Sequence, residues 1–213
     1  MVGKRILDVV VSSIGLTICA PLFAVAAAAI KLDSPGPVFF RQERIGKGGQ
    51  PFYPYKFRTM VANAERIGLG LNVAQDDPRI TRVGRVLRHW GIDELPQLIN
   101  VLKGEMSLVG PRPTLRYQVE QYDAFQRRRL EVKPGITGWA LVSGRNRLSW
   151  EERIKLDVWY VDHWSFWLDL KILFKTLWVV LVTHEGVYGE GGINDDFTRS
   201  RAEPGAGKRP LGA

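Results

Sequence analysis

Residues 9–30 carry no charged side chain over 22 positions, reaching the ~20 residues a helix needs to cross a bilayer. Lys4, Arg5 and Asp8 stand just before this run, and Lys31, Arg41, Arg44 and Lys47 follow it. A cleaved signal peptide fits poorly. The run exceeds the usual ~7–15 residues of such a segment, and Asp8 intrudes at its start. A lipoprotein signal ending at Cys19 also fits poorly, because Ile18 stands where a small residue is needed. A single spanning helix meets two objections. Pro21 near the middle removes a backbone donor and clashes with the preceding turn, which predicts a kink or a break. Basic residues at both ends give neither end a claim to the far side of a membrane. A helix–break–helix that enters one leaflet and returns satisfies both and is preferred to a span. A buried helix of a soluble protein is the remaining reading.

The rest of the chain reads as one folded unit. Of 213 residues, 45% are hydrophobic and 24% charged, which excludes a disordered chain and a multi-span membrane protein. Lys and Arg outnumber Asp and Glu by 30 to 22, a formal charge of +8. That balance suits an anionic partner: nucleic acid, a phosphorylated substrate or an acidic lipid surface. Cys19 is the single cysteine, so an internal disulfide framework and a multi-cysteine metal site are both excluded.

Asp33-Ser34-Pro35-Gly36-Pro37 ends the first element. Residues 38–45 and 52–57 are rich in β-branched and aromatic side chains around Gly46-Lys47-Gly48-Gly49, which predicts a hairpin. A short helix over 62–67 and a loop over 68–77 follow. Ile80, Val83, Val86, Leu87 and Trp90 predict a helical stripe, with Arg79, Arg82, Arg85 and Arg88 sweeping the solvated side. Further helices are expected over 94–102 (closed by Lys103-Gly104), 115–131, 150–162 and 165–183. The arginines at 127–129 suit a helix C-terminus and need no functional reading. The glycine-rich stretch from Gly186 leads into an expected disordered tail over 195–213. Five of the seven tryptophans fall within 29 residues, from Trp150 to Trp178, interleaved with Arg153, Lys155, Lys171 and Lys175. Basic, Trp-bearing amphipathic helices suit a membrane interface.

Several familiar sites are absent: no Walker loop, no complete GxGxxG, no GxSxG elbow, and no metal spacing among His89, His163 and His184. Chemistry must then rest on carboxylates, arginines and a hard cation. Asp93 and Glu94 are the best candidates, although Asp93 could simply cap the helix that follows, a role worth about 1 kcal/mol. Pro111-Arg112-Pro113 fixes the backbone around one guanidinium. Gly135-Ile136-Thr137-Gly138-Trp139 and Gly144-Arg145-Asn146 form a second glycine-rich, arginine-bearing stretch. Adjacent carboxylates with aimed guanidiniums suit a diphosphate with Mg²⁺.

The chain resembles the bacterial sugar transferases, the monotopic polyprenyl-phosphate phosphoglycosyl transferases. The resemblance runs from Lys4-Arg5-Ile6-Leu7-Asp8 to about Gly186. It is carried by Ser34-Pro35-Gly36-Pro37-Val38-Phe39, Lys56-Phe57-Arg58-Thr59-Met60, Asp93-Glu94-Leu95-Pro96-Gln97-Leu98 and Val109-Gly110-Pro111-Arg112-Pro113. Lys133-Pro134-Gly135-Ile136-Thr137-Gly138-Trp139 and Leu156-Asp157-Val158-Trp159-Tyr160 also match.

The resemblance implies an α+β fold: a mostly helical catalytic domain with a small β-hairpin, behind a re-entrant membrane helix. Residues 1–33 would form that membrane segment, 34–194 the catalytic domain with interfacial helices, and 195–213 the tail. The family's Ser-Pro break is Ala20-Pro21 here, so Pro21 would mark it. The location implied is the cytoplasmic face of the bacterial inner membrane. Asp93 would be the nucleophile on a UDP-sugar, releasing UMP and passing the sugar-phosphate to polyprenyl (undecaprenyl) phosphate. Glu94 would help hold Mg²⁺. Arg112 would bind phosphate, and Arg88, Arg145 and Asp157 would bind substrate. Leu141-Val142-Ser143 replaces the commoner Gln-Val-Asn before Gly144, so sugar specificity would differ from better-known members. Galactose, glucose and N-acetylated hexosamines all remain open, as does a homodimer. The expected partners are the UDP-sugar, the polyprenyl phosphate and membrane lipids, without nucleic acid. Two competing readings are a non-catalytic basic module for membrane surfaces or nucleic acid, and an enzyme acting by one direct transfer.

Overall fold

A computed structural model describes residues 2–67, 73–74, 76–144 and 147–180. Arg145, most of the 68–77 stretch and the 195–213 tail lie outside the described residues. The architecture is mostly helical with a few short strands, an α+β fold as expected. Helix α1 spans Val2–Asp33 with Pro21 inside it. Helical structure runs without interruption through Pro21 over all 32 residues, a continuity that a proline-kinked helix and a straight one share. Proline removes only the bond to the Thr17 carbonyl, and the remaining turns carry the helix past it.

One stripe of α1 is packed and the other is bare. Asp8, Ser12, Ala26 and Ile30 are buried, and Gly15 lies against Leu98 so closely that a Cβ would come within 3.1 Å of its side chain. Small residues at three- and four-residue spacing let the helix approach α3 (Leu98–Lys103). On the other side Ile6, Val10, Ile14, Ile18, Leu22 and Val25 are exposed. Only 11% of the most apolar 18-residue window is buried, which sets aside the soluble core-helix reading.

Both ends of α1 are docked. Lys4 donates to the Val109 carbonyl at 2.9 Å and to Asp169 at 2.6 Å, and Arg5 donates to the carbonyls of Val101 and Leu102. The buried Asp8 carboxylate accepts from Ser107 Oγ and Leu108 N. At the other end the Asp33 carboxylate accepts from Val83 N, and Arg58 gathers the carbonyls of Ile30, Ser34 and Pro35.

The hairpin forms as expected. Strands β1 (Phe39–Phe40) and β2 (Arg44–Ile45) pair antiparallel with β4 (Lys56–Phe57) and β3 (Pro51–Phe52), respectively. The pairings Phe39↔Phe57, Phe40↔Lys56, Arg44↔Phe52 and Ile45↔Pro51 keep one register. A second small sheet was not legible in the sequence: β5 (Ser107–Val109) runs parallel to β6 (Gly135–Thr137). Gly110 and Gly135 make this approach feasible, since a Cβ on Gly135 would sit 2.1 Å from Gly110 N.

Helix α2 (Arg82–His89) starts at a Thr81 cap, and its Leu87 enters a core with Ala26, Ile30 and Phe57. The expected stripe is corrected in part, because Val86 and Trp90 face outward. Arg79, placed with the solvated arginines, is instead buried on Asp77. The single helix expected over 115–131 is α4 (Arg116–Glu120), α5 (Ala124–Arg127) and a 3-10 turn Arg128–Glu131, divided where Asp123 caps a fresh start. Helices α6 (Trp139–Ser143), α7 (Trp150–Asp162) and α8 (Phe166–Trp178) follow. Ser149 and Ser165 cap the last two.

Candidate active site

Asp93 and Glu94 sit in a 3-10 turn, Ile92–Gln97, entered through Gly91 at φ 66°. A residue with a side chain adopts that left-handed conformation at a cost, so glycine suits the entry. Asp93 therefore lies inside the turn and caps nothing. Its side chain is buried but for 12% of its surface.

Three cations converge on the carboxylate pair from distant parts of the chain. Lys56 on β4 places Nζ 2.7 Å from Glu94 Oε1 and 3.9 Å from Asp93 Oδ2. Arg112, on the proline-flanked loop after β5, grips Glu94 with both ends of its fork: Nη2 to Oε1 at 2.7 Å and Nη1 to Oε2 at 3.3 Å. Arg88, at the end of α2, donates Nε to Thr59 Oγ1 at 2.8 Å and adds positive charge near Asp93. Glu94 thus takes both direct cation contacts. Among the described residues, Asp93 has no hydrogen-bonded cation.

The two carboxyls respond in opposite directions. Burial pushes Asp93 up, opposed by Lys56 and reinforced by the Glu94 charge. Burial also acts to raise Glu94, but Arg112 and Lys56 outweigh it and hold the group well below the usual carboxylate range. Such a separation of titrations suits two carboxyls to different tasks.

Arg129 supports the site from behind. It is buried, bonded to Tyr122 OH at 2.6 Å and to the Asp157 carboxylate, and it donates to the backbone carbonyl of Arg112 at 2.9 Å. The expectation that the arginines at 127–129 serve only a helix end is corrected for Arg129. Asp157 lies at the far side of that link, in the interior. Arg44 on β2 bonds Gln42 Oε1 at 2.8 Å. Burial and the Arg112 charge push its guanidinium down to about 10, still protonated at neutral pH.

Of the residues expected from sequence, Glu94 and Arg112 meet directly, and Asp93 and Arg88 stand beside them. Asp157 reaches the site through Arg129, and Arg145 is outside the described residues. Lys56, Arg129 and Arg44 were not singled out. A signal for Lys56 was present: it alternates with the buried Phe57, so period two turns it to the opposite face. No local signal pairs Arg129 with Tyr122, because the chain between them leaves one helix and starts another at Asp123.

A hard cation is compatible with the donor set. No group of three or more ligating side chains occurs among the described residues. Mg²⁺ needs only one or two carboxylates when phosphates and water complete its shell, and Glu94 Oε2 accepts a single long bond.

The sequence model for bacterial sugar transferases matches residues 1–183. An uncharacterized sugar transferase of Bacillus subtilis strain 168, EpsL, is 52% identical over 190 residues, covering 88% of this chain and 91% of that protein. The chain belongs to the bacterial sugar transferase family. It is a transferase, and the reading as a non-catalytic basic module is set aside. The UDP-N-acetylgalactosamine-undecaprenyl-phosphate N-acetylgalactosaminephosphotransferase of Aeromonas hydrophila is 48% identical over 185 residues, 84% of this chain but 43% of that protein. The UDP-glucose:undecaprenyl-phosphate glucose-1-phosphate transferase of Caulobacter vibrioides is 46% identical over 191 residues, 84% of this chain and 70% of that protein. This sugar transferase therefore spans less than half of the Aeromonas relative.

Proposed function

We propose that this sugar transferase moves a sugar-1-phosphate from a UDP-sugar to undecaprenyl phosphate through a covalent intermediate on Asp93. The reaction would open the membrane stage of exopolysaccharide or O-antigen synthesis at the cytoplasmic face of the inner membrane. One observation carries the reading: Glu94 absorbs Arg112 and Lys56, and Asp93 is left close to positive charge yet unbonded. The printed names of the Aeromonas and Caulobacter relatives supply the chemical class.

In the first step an Asp93 carboxylate oxygen attacks the β-phosphorus of the UDP-sugar. The new bond joins Asp93 oxygen to phosphorus, the bond to the bridging oxygen breaks, and UMP leaves with the electron pair. In the second step an oxygen of undecaprenyl phosphate attacks the same phosphorus. The bond to Asp93 breaks, and the carboxylate returns free. Splitting the transfer keeps the soluble and lipid phosphates from sharing one crowded anionic site. Burial suits the nucleophile, because a carboxylate stripped of water is more basic. Arg112 and Lys56 are placed to follow the phosphoryl oxygens as charge moves onto them. When bound, Mg²⁺ would offset charge on the diphosphate, with Glu94 and phosphate oxygens as its ligands.

The membrane geometry is part of the proposal. Helix α1 is long and apolar enough to cross a bilayer, yet both of its ends are bonded to the same folded body. That supports a helix embedded in one leaflet by its bare face, with the catalytic residues on the side from which it enters.

The deciding experiment offers the purified enzyme a panel of UDP-sugars with Mg²⁺ and no lipid acceptor, and records intact mass and UMP. A sugar-phosphate adduct with stoichiometric UMP, absent in Asp93→Asn, is the expected result. Turnover with acceptor but no adduct without it would favour direct transfer.

A further inference from the structure

Outside the carboxylate site, two ammonium groups converge on one indole. Lys175 Nζ lies 5.2 Å and Lys171 Nζ 5.8 Å from the ring centroid of Trp139. Neither lysine has an ion-pair partner among the described residues. The nearby carboxylate on their helix, Asp169, is buried and already takes Lys4, Tyr160 and Trp164. The ring is held in place. It stacks on Trp159 at 5.3 Å, and Thr137 and Thr176 share a 2.6 Å hydrogen bond that pins α8 to β6. Trp139 also adjoins the active-site loop. It follows Gly138, where a Cβ would sit 2.2 Å from the Gly110 carbonyl, two residues before Arg112.

The lysines share their stripe of α8 with apolar residues. Trp167, Lys171, Phe174, Lys175 and Trp178 recur at three- and four-residue spacing. Trp167, Phe174 and Trp178 are 77%, 71% and 61% exposed. A cationic pair over an aromatic wall thus borders a face suited to hydrocarbon.

We propose that Lys171, Lys175 and Trp139 form the binding site for the phosphate of the lipid acceptor. The first part of its chain lies along Phe174 and Trp178. The assignment rests on the function proposed above for the identity of that lipid. Charge argues for a monoester: a phosphate monoester carries close to two negative charges near neutral pH, matching two lysines, whereas a bulk phospholipid diester carries one. Position argues the same way, because the chain beside the indole packs at Gly138 on Gly110, two residues before Arg112.

The test measures binding and turnover separately. Undecaprenyl phosphate is titrated against the full chain in neutral-detergent micelles and followed by native mass spectrometry, with phosphatidylglycerol as competitor. Wild type is compared with Lys171→Gln/Lys175→Gln and with Lys171→Arg/Lys175→Arg. The glutamine pair is expected to weaken binding by about tenfold or more, the loss of charge-assisted contacts. The arginine pair retains affinity, phosphatidylglycerol at equal concentration does not displace the ligand, and the KM for UDP-sugar stays within about twofold. Equal affinity in wild type and the glutamine pair overturns the site, as does displacement by phosphatidylglycerol, which would mark a general headgroup contact. If the glutamine pair unfolds, the single Lys171→Gln and Lys175→Gln variants are read instead. Lysine-dependent binding with no transfer from any UDP-sugar would overturn the proposed reaction and leave the site standing.

Discussion

Arg129 donates to the backbone carbonyl of Arg112 at 2.9 Å, so a guanidinium in the interior holds the main chain of one that is half exposed at the active site. Arg129 is itself held by Tyr122 and Asp157. The Arg112 side chain grips Glu94 while its carbonyl is anchored from behind and Pro111 and Pro113 restrict its backbone. A phosphate arriving at this arginine meets a fork with little orientational entropy left to lose.

Replacing Asp157 tests that anchor. Burial pushes the Asp157 carboxyl up against the pull of Arg129, and Asp157→Asn leaves Arg129 charged, buried and short of its counter-ion. Breaking such a pair costs about 3–5 kcal/mol. The expected result is a large fall in thermal unfolding temperature in detergent and a raised KM for UDP-sugar among molecules that remain folded.

Lys56 makes a prediction about pH. Its charge lowers Asp93, whose carboxyl burial otherwise pushes up. In the proposed reaction Asp93 must be ionised to attack, so UMP release is expected to fall as pH drops through its raised value. Lys56→Gln removes the opposing charge and should move the acidic limb of kcat/KM to higher pH, with a lower plateau. A limb that stays in place would mean another group sets it.

Asp77 and Arg79 form a buried pair at 2.6 Å, and Arg79 also donates to the carbonyls of Ala64 and Ile67. The Arg79 hydrogen bond holds the Asp77 carboxyl at about 2, from an ordinary 3.8. A depressed carboxyl adds stability above its unfolded value and loses it as pH falls from about 4 toward 2. Asp77→Asn should cost at least about 2 kcal/mol at neutral pH and flatten stability over that acid range. Denaturant unfolding at stepped pH measures both.

Gly84 lies in α2, where alanine ordinarily stabilises a helix by about 1 kcal/mol. Here a Cβ would sit 2.0 Å from the Thr59 carbonyl oxygen. Backbone has nowhere to go, so the expected sign is reversed, with a loss of about 1–3 kcal/mol. Thr59 also carries the Arg88 contact, so Gly84→Ala should lower activity as well as melting temperature.

The leaflet geometry predicts a labelling pattern. In a Cys19→Ser background, Val2→Cys and Leu32→Cys should both react with a membrane-impermeant maleimide in inside-out vesicles, and neither in right-side-out ones. Labels divided between the two faces would establish a spanning helix.

Much of this fold was legible because its signals are local. The uncharged run of 9–30, the breaker at 33–37 and the glycines of the hairpin each act within a few residues. Local steric and hydrogen-bonding preferences suffice to place such elements. At Pro21 the missing donor weakens one turn, and the helix continues through it with contacts at both ends of α1 and along its packed face. The same local logic underread 115–131, where Asp123 bonding Gln126 restarts the helix.

The sequence by itself determined the hairpin, the long helices, the apolar run and the family that the motifs carry. It also marked Asp93, Glu94 and Arg112 as chemistry-bearing. Tertiary structure alone decided their company. Lys56 reaches Glu94 across 38 residues, Arg129 reaches Asp157 across 28, and Lys4 reaches Asp169 across 165. The parallel pairing of β5 with β6 likewise joins strands separated by three helical segments. Contacts of that kind follow from how whole faces pack, a sum over many weak terms that no short window of sequence contains. For that reason the division of labour between Asp93 and Glu94 appears only once Lys56 and Arg112 have been folded against them.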